Sequence, residues 1–286
     1  MKFENIRVYN FENALRGMRN PKESYHLIDS KYGIGPWDWA AEEASEVACL
    51  WDDNESTVDW LFKNGIIYKD NHGDYLEWAF IGPNDMKLAQ TLIKAGSEHR
   101  KFMRQIFVSV DITAPLFWYK EFDTYKVGTV ANSTSTMHTI HKKPIALDNF
   151  ETDDYQERLT LIDDIHLGVR VDNFINDLEQ LRQLYLMYHK ESQRKDISDE
   201  ERKEKEKIAK TYWKELIRWT PEAWLQTRTV TMNYENLLAM CSKGQRRFHK
   251  LTEWSGDGDD FVTESFIKFA RTLPYAQDFI FIDELN

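Results

Sequence analysis

Residues 105–143 read QIFVSVDITAPLFWYKEFDTYKVGTVANSTSTMHTIHKK, and this stretch decides the predicted fold. From Ile106 to Ile112, apolar residues alternate with small or polar ones, the period of two that indicates a β-strand. Thr113 is then expected to cap a helix whose first turn holds Pro115, where the missing N–H group breaks no intrahelical bond. The stretch therefore predicts a strand followed directly by a short helix.

The segment after this helix is rich in hydroxyl and amide groups and carries little charge. Its polar residues are Thr124, Tyr125, Lys126, Thr129, Asn132, Ser133, Thr134, Ser135 and Thr136. A strand, a helix and such a segment often surround a phosphate or a nucleotide, which the hydroxyls would bind while Lys126 supplies charge. The same composition is typical of loops, where hydroxyls cap turns and pair across strands. Both interpretations stay open on these residues alone.

A second polar and basic region follows in the last quarter of the chain. Gln226–Met232 alternates in the manner of a strand, and Asn233 is expected to cap the helix after it. Beyond that helix, Arg246, Arg247 and His249 form a basic cluster in an acidic protein. Clustered cations bind phosphate groups, and they also complement the negative end of a helix. Both roles stay open for this cluster.

Two segments resemble the flavin-dependent thymidylate synthases. APLFWYKEFDTYKVGT (114–129) is similar to the signature region of that family, and Thr231, Met232 and Asn233 with Leu237 are similar to a second family motif. The resemblance implies an α+β fold, with a mixed or antiparallel central sheet, flanking helices and a long helical insertion. It further implies FAD as a cofactor, a pyrimidine nucleotide such as dUMP as a ligand, and one-carbon transfer to deoxyuridylate.

The family's Arg-His-Arg-x-x-Ser motif falls on Thr124, Tyr125, Lys126 and Thr129. The resemblance implies cofactor binding by these four residues and by Asn233. The predicted substrate-binding residues are Asn132, Ser133 and Ser135 of the polar segment, together with Arg246, Arg247 and His249 of the basic cluster, which the resemblance places beside the pocket. Lysine keeps a charge but lacks the planar fork of arginine, and tyrosine can stack but does not exchange a proton at neutral pH. Three functions therefore stay open: a divergent flavin-dependent enzyme, an inactive homologue that acts as a nucleotide-binding or protein-interaction module, and a different nucleotide-modifying reaction that uses Tyr125 and Lys126.

The sequence predicts one domain over residues 1–286, with a helical elaboration at about 155–219. Residues 155–192 predict a long helix bent at Gly168, and Ser198 with Glu201 forms a capping-box pattern before the next helix. A hairpin is predicted from Ile66–Tyr68 and Tyr75–Phe80, and a last short strand from Phe279–Ile282. The family resemblance implies a homo-oligomer, namely a tetramer.

Composition limits the class of protein. The net charge of −11 argues against non-specific nucleic-acid binding as the main task, and 10 Trp, 13 Tyr and 16 Phe predict a substantial aromatic core. Cys49 and Cys241 are widely separated and indicate reduced thiols in a cytoplasmic protein. No run of apolar residues is long enough for a membrane span. His138 and His141 lack a third ligand at metal-binding spacing, so no metal is predicted.

Overall fold

A computed structural model describes residues 1–52, 54–69, 76–152, 155–162, 164–243, 248–256 and 264–285. The described residues form two antiparallel sheets with helices around them, so the predicted α+β class is confirmed.

The helices and strands follow one another in this order. The N-terminal part contains β1 (Lys2–Tyr9), α1 (Phe11–Met18), β2 (Lys31–Gly35), α2 (Trp37–Trp51), α3 (Glu55–Gly65), β3 (Ile66–Lys69), β4 (Leu76–Phe80) and α4 (Pro83–Lys94). The central part contains β5 (Phe107–Pro115), α5 (Leu116–Phe122), β6 (Val130–Ser133) and α6 (Thr136–Thr139). The C-terminal part contains α7 (Tyr155–Ile162), α8 (Ile165–Ser192), α9 (Asp199–Trp219), β7 (Leu225–Asn233), α10 (Tyr234–Met240), α11 (Thr252–Ser255), α12 (Phe266–Arg271) and α13 (Ala276–Phe279).

The larger sheet has the strand order β1-β5-β7-β6, and each neighbouring pair is antiparallel. Val108, Val110 and Ile112 of β5 point into the main core and are fully buried. The residues between them, Ser109 and Asp111, are on the partly exposed face. The alternation read from the sequence therefore matches a sheet with one buried and one open face.

β5 is longer than its sequence pattern indicates. Thr113 pairs with Thr227 of β7, and Pro115 pairs with Leu225, so the strand continues through both predicted helix residues. The hydroxyls of Thr113 and Thr227 are 2.8 Å apart, which is hydrogen-bond distance. α5 begins only at Leu116, with Pro115 as its N-cap. The prediction that Thr113 caps this helix is wrong, because β7 offers Thr113 a strand partner instead.

The polar segment after α5 contains a strand. In β6, Val130 pairs with Thr231 and Ser133 pairs with Arg228, which places the segment at the edge of the larger sheet. The alternation predicted for Gln226–Met232 is that of β7, which pairs with β5. This pairing brings the two segments that carry the family resemblance into one sheet.

The smaller sheet has the strand order β2-β4-β3. β3 and β4 pair antiparallel, which confirms the predicted hairpin; its connection, Asp70–Gly73, lies outside the described residues. α2 and α3 cover this sheet around a second core that includes Ala44, Leu61 and Trp78.

The helical region after residue 155 is divided earlier than predicted. Asp164 is the N-cap of α8 and accepts a hydrogen bond of 3.0 Å from the Leu167 N–H, so α8 begins next to it. The prediction of one long helix over residues 155–192 is wrong, because Asp164 caps a new helix there. α8 continues through Gly168, and the bend at that residue stays a prediction. The capping box of Ser198 and Glu201 at the start of α9 is confirmed. α8 and α9 enclose a third core that includes Ile175, Leu178 and Leu216. That residues 1–286 form one domain with this elaboration stays a prediction.

The C-terminal segment is helical. α13 ends at Phe279 and a 3₁₀ turn spans Ile282–Glu284, so the predicted strand Phe279–Ile282 is wrong. The side chains of Phe279, Ile280 and Phe281 are all fully buried, and a helical segment packed on the core buries consecutive residues that a strand would place on opposite faces. No helix in the described part of the chain has both the length and the apolar composition of a membrane span.

Candidate functional site

The loop after α5 and the start of α10 meet in space, although more than a hundred residues separate them in sequence. The Asn236 side-chain amide donates a hydrogen bond of 2.6 Å to the Val127 carbonyl oxygen. Gly128 has φ +82°, and its Cα lies so close to α10 that an added Cβ would be 2.8 Å from Asn233 Nδ2. The segments around Tyr125 and Asn233 therefore converge, which is consistent with the single site that the family resemblance implies.

The turn that presents Tyr125 is fixed by backbone hydrogen bonds. After α5, the Thr124 N–H donates to the Glu121 carbonyl and the Tyr125 N–H to the Phe122 carbonyl, each at 3.0 Å. Phe122 is buried and anchors the end of the helix. The Thr129 hydroxyl donates to the Tyr125 carbonyl and closes the loop.

Tyr125 packs in a row of aromatic rings. Its ring centroid is 5.7 Å from that of Trp254. The ring centroid of His249 is 5.5 Å from that of the same Trp254. Trp254 is fully buried, and its Nε1–H donates to the Met240 carbonyl at 3.2 Å. The indole is therefore a fixed support behind Tyr125.

His249 makes contacts through both ring nitrogens. Its Nδ1 accepts a hydrogen bond of 3.0 Å from the Leu251 N–H, so in the neutral ring the proton is on Nε2. That Nε2 is 3.7 Å from Glu121 Oε1. His249 thus faces α5 and the Trp254 segment.

A cleft of about 720 Å³ lies beside Tyr125, between α4, α10 and the C-terminal segment. Its walls include both charged and apolar side chains, among them Lys94, Arg100, Tyr125, Leu238, Ser242 and Asp283. An aromatic ring, an apolar floor and two cations in one concave site are the features that bind a small aromatic anion.

The two cations of this cleft differ in their partners. Arg100 Nε is 3.2 Å from Glu235 Oε1, and Arg104 also pairs with Glu235. Burial raises the pKa of Glu235, but hydrogen bonds from the two arginines more than offset it, so the net pKa is below the usual value. Within the described residues, Lys94 makes no ion pair. Lys94 is therefore the cation of the cleft that is available to an anionic ligand.

The cofactor-binding residues implied by the resemblance lie where the loop after α5 meets the start of α10. They differ in exposure and in hydrogen bonding. Thr124 and Lys126 are exposed, Tyr125 lines the cleft, and Thr129 is bonded to the Tyr125 carbonyl. Asn233 caps α10: its Oδ1 accepts from the Asn236 N–H at 3.0 Å, while Asn236 Oδ1 accepts from the Asn233 N–H at 3.2 Å.

The predicted substrate-binding residues are spread more widely. Asn132 and Ser133 are exposed on β6, opposite Thr229 and Arg228, and Ser135 precedes α6. Along β7, Arg228 is five positions from Asn233, roughly 16 Å at the rise of a strand, so β6 leads away from the cleft. His249 lies behind Trp254, and Arg246 and Arg247 lie outside the described residues.

Arg228 is a candidate binding residue that the sequence analysis did not identify. Its guanidinium carbon is 3.8 Å from the Tyr119 ring centroid, and its Nη1 donates to Asp123 Oδ1 at 2.8 Å. It is paired with Ser133, so it brings a positive charge to the strand next to the hydroxyl-rich β6. The sequence did contain a signal for it: Arg228 is a charged residue within the alternating segment QTRTVTM, which forms a strand with one buried face.

The implied cofactor-binding residues of this chain do not fit a flavin dinucleotide. A flavin diphosphate requires cationic or backbone donors. Of the five implied residues, Thr129 and Asn233 are engaged in internal hydrogen bonds and Tyr125 packs on Trp254, which leaves the Thr124 hydroxyl and the Lys126 ammonium group. One cation in an exposed loop is a weak counterpart for a diphosphate. Among the described residues, no group of three or more His, Cys, Asp or Glu side chains is arranged for a metal ion.

No protein-family model matches the chain, and no curated protein matches it. Among solved structures, the chain is similar to flavin-dependent thymidylate synthase ThyX from Helicobacter pylori complexed with FAD and dUMP. The identity is 16% over 88% of this chain and 96% of that chain, with a TM-score of 0.42. A second ThyX structure from Helicobacter pylori with FAD and dUMP has 13% identity over 90% and 99% of the two chains, with a TM-score of 0.42. The UMP/dUMP methylase PolB from Streptomyces cacaoi, bound with 5-Br UMP, has 10% identity over 74% of each chain and a TM-score of 0.33.

Proposed function

We propose that the chain binds a pyrimidine nucleotide, such as dUMP, in the cleft beside Tyr125. The observation that carries the proposal is the convergence of the Tyr125 loop with α10, next to a concave site that contains Lys94 and Arg100. The base packs between Tyr125 and Leu238, since both side chains line the same cleft. The phosphate binds Lys94, whose charge is not neutralised by an ion pair in the described part of the chain.

We further propose that the chain acts as a nucleotide-binding module without flavin chemistry. Thr129 and Asn233, two of the positions implied for flavin binding, are engaged inside the protein, and the arginine positions hold Thr124 and Lys126. Nucleotide binding needs only the cleft, whereas flavin-dependent one-carbon transfer needs a second, larger ligand next to the base.

Flavin-dependent one-carbon transfer to deoxyuridylate is the second candidate function. It is favoured by the pairing of Ala114 with Gln226 and of Val108 with Met232, which makes the two family-like segments neighbours in one sheet. The ThyX structures named above contain FAD and dUMP. For this candidate, the chain would assemble as a tetramer in which a second subunit supplies the missing cations, and its mass in solution tests that assembly.

Calorimetric titration of the purified protein with dUMP, deoxyuridine and dAMP tests the nucleotide site. We expect dUMP to bind more tightly than deoxyuridine, because only dUMP has a phosphate for Lys94, and more tightly than dAMP, because the proposed ligand carries a pyrimidine base. A concentration of dUMP about 100-fold above its Kd should raise the free energy of unfolding by roughly 2.7 kcal/mol. Equal affinity for all three ligands would contradict the proposal, and so would a failure to bind any of them.

Absorbance separates the two candidates. A nucleotide-binding module is colourless as purified and does not take up FAD, whereas a flavoprotein absorbs near 450 nm, roughly, as flavins do. A yellow protein that methylates dUMP when supplied with a folate one-carbon donor and a reductant would establish the second candidate and reject the module.

A further inference from the structure

A second cleft, of about 700 Å³, lies along the N-terminal half of α4. Met86, Lys87 and Gln90 line it, whereas Ile93 and Lys94 from the last turn of the same helix line the cleft beside Tyr125. The other walls come from the end of α2, from α3 and from α13. It is therefore a separate site, and its assignment does not depend on the nucleotide proposal.

Two indole rings form a corner in this cleft. The Trp51 and Trp60 ring centroids are 5.8 Å apart, with the ring planes at 65°. Trp51 is held by a hydrogen bond of 3.1 Å from its Nε1 to the Ile81 carbonyl, and Trp60 packs edge-on against Tyr275 at 5.7 Å. Trp51 nevertheless keeps 37% of its surface exposed. The corner is thus preorganised and open to a ligand.

Two carboxylates accompany the indoles. Asp278 from α13 lines the cleft and accepts a hydrogen bond of 3.2 Å from the Gln90 side-chain amide. Asp52, which follows α2, lines it as well and accepts a hydrogen bond from the Thr57 hydroxyl. Burial raises the pKa of Asp278 to about 6, so this carboxyl is charged at neutral pH without an arginine or lysine ion pair among the described residues. Lys87 is exposed and is the one cation among the cleft's described lining residues.

We propose that this cleft binds an organic ammonium ion, such as a quaternary or methylated amine, between the Trp51–Trp60 corner and Asp278. The faces of indole rings attract cations, most strongly where water is excluded, and a nearby carboxylate adds charge. A quaternary ammonium needs no hydrogen-bond acceptor, which suits a site whose Asp278 Oδ1 is already bonded to Gln90. An anion would meet both carboxylates, and a neutral ring would leave the half-buried Asp278 charge without a counterion.

Choline and its neutral isostere 3,3-dimethylbutan-1-ol test the proposal, because the two have the same shape and differ in charge. The readout is the set of Trp indole N–H signals in ¹H–¹⁵N NMR, assigned by single substitution of Trp51 and Trp60. We expect choline to shift these two signals saturably and the alcohol to leave them unchanged. Equal shifts from both compounds would show an apolar cleft without cation recognition, and the absence of a saturable choline shift would also overturn the proposal.

Three variants locate the binding energy. Asp278→Asn keeps the acceptor for Gln90 but removes the charge, and we expect it to weaken choline roughly 5- to 10-fold. Lys87→Gln removes the competing cation, so choline should bind this variant more tightly than it binds the unmodified protein. Trp39→Leu, at the opposite end of α2, is the matched surface control and should keep the affinity of the unmodified protein. An Asp278→Asn affinity equal to that of the unmodified protein, or an equal loss in Trp39→Leu, would reject the site.

Discussion

The side-chain amide of Asn236 donates a 2.6 Å hydrogen bond to the carbonyl oxygen of Val127, and this contact ties the first turn of α10 to the loop after α5. The same first turn contains a reciprocal cap between Asn233 and Asn236, so Asn236 uses its oxygen inside the helix and its nitrogen on the loop. The position of Tyr125 in its cleft therefore depends on how α10 begins.

Gly128→Ala should loosen this junction. The residue has φ +82°, and its new Cβ would lie 2.8 Å from Asn233 Nδ2 and 2.9 Å from Asn236 Oδ1. We expect a loss of about 1–3 kcal/mol in the free energy of unfolding, measured in urea, together with weaker dUMP binding. Gly96→Ala is the matched control: its φ is +104°, with nothing within 4 Å of the new Cβ, so it carries backbone strain without the clash. If dUMP bound equally well to both variants, the loop would not shape the nucleotide site.

Lys94→Gln should lower dUMP affinity roughly 10-fold and leave deoxyuridine affinity unchanged, because only the phosphate meets the ammonium group. Lys126→Ala, beside Tyr125, is also expected to weaken dUMP without unfolding the protein. Isothermal titration in low and high salt measures both effects, and the salt dependence should be smaller in the variants. Lys214→Gln on the exposed side of α9 is the control. A uniform loss for dUMP and deoxyuridine would indicate that Lys94 supports the cleft instead of the phosphate.

The elements that the sequence predicts correctly are those with a strong local period or cap. The alternation of Ile106–Ile112 and of Gln226–Met232 gives the two central strands, and Asn233 and Ser198 are the caps that their residue types indicate. In each case the deciding information lies within a few neighbouring residues.

The incorrect predictions depend on partners distant in sequence. β5 extends to Pro115 because Leu225 and Thr227 pair with its end. The Phe279–Ile282 segment contains the end of α13, a turn and the start of a 3₁₀ turn, and all its side chains are buried on the core. Apolar runs of this length do not distinguish a strand from a buried helix. Only the family resemblance assigned Tyr125 and Asn233 to one site, and the contact of Asn236 with Val127 was not predicted. The role of Arg228 was missed because its partners, Tyr119 and Asp123, come from other parts of the chain.

Asp85→Asn should be among the most destabilising single substitutions. Arg19 and Asp85 form an ion pair with 3% and 1% of their side-chain surfaces exposed, and Arg19 Nε is 2.7 Å from Asp85 Oδ1. The other carboxylate oxygen accepts the Ser30 hydroxyl at 2.7 Å. Because the substitution leaves a buried guanidinium uncompensated, we expect a loss of roughly 3–5 kcal/mol in urea denaturation.

Glu46→Gln is the control for this ion pair. Glu46 pairs with Lys31 at 2.8 Å, but 55% and 43% of their side-chain surfaces are exposed, so the loss should be at most about 1 kcal/mol. If Asp85→Asn and Glu46→Gln lowered the free energy of unfolding equally, burial would not determine how much the Arg19–Asp85 pair contributes to stability.

Asp278 should make the protein less stable as the pH rises from about 4 to about 6. Burial raises its pKa from 3.8 to about 6, so in this window the native state keeps a proton that the unfolded chain has released. By linkage, the free energy of unfolding falls by about 2 kcal/mol between about pH 4 and about pH 6. Lys87 and Asp52 are the charged groups that share its cleft, and Gln90 is its hydrogen-bond partner from α4.

Asp278→Asn has no carboxyl to titrate and keeps an acceptor for Gln90. It should therefore be about 3 kcal/mol more stable than the unmodified protein at pH 7.5 and nearly equal to it at pH 4, measured by urea denaturation at each pH. Asp59→Asn, on the exposed surface of α3, should follow the unmodified protein at both values. A variant less stable than the unmodified protein at pH 7.5 would mean that the charged Asp278 carboxylate stabilises the fold through its surroundings, opposite to the effect that its burial predicts.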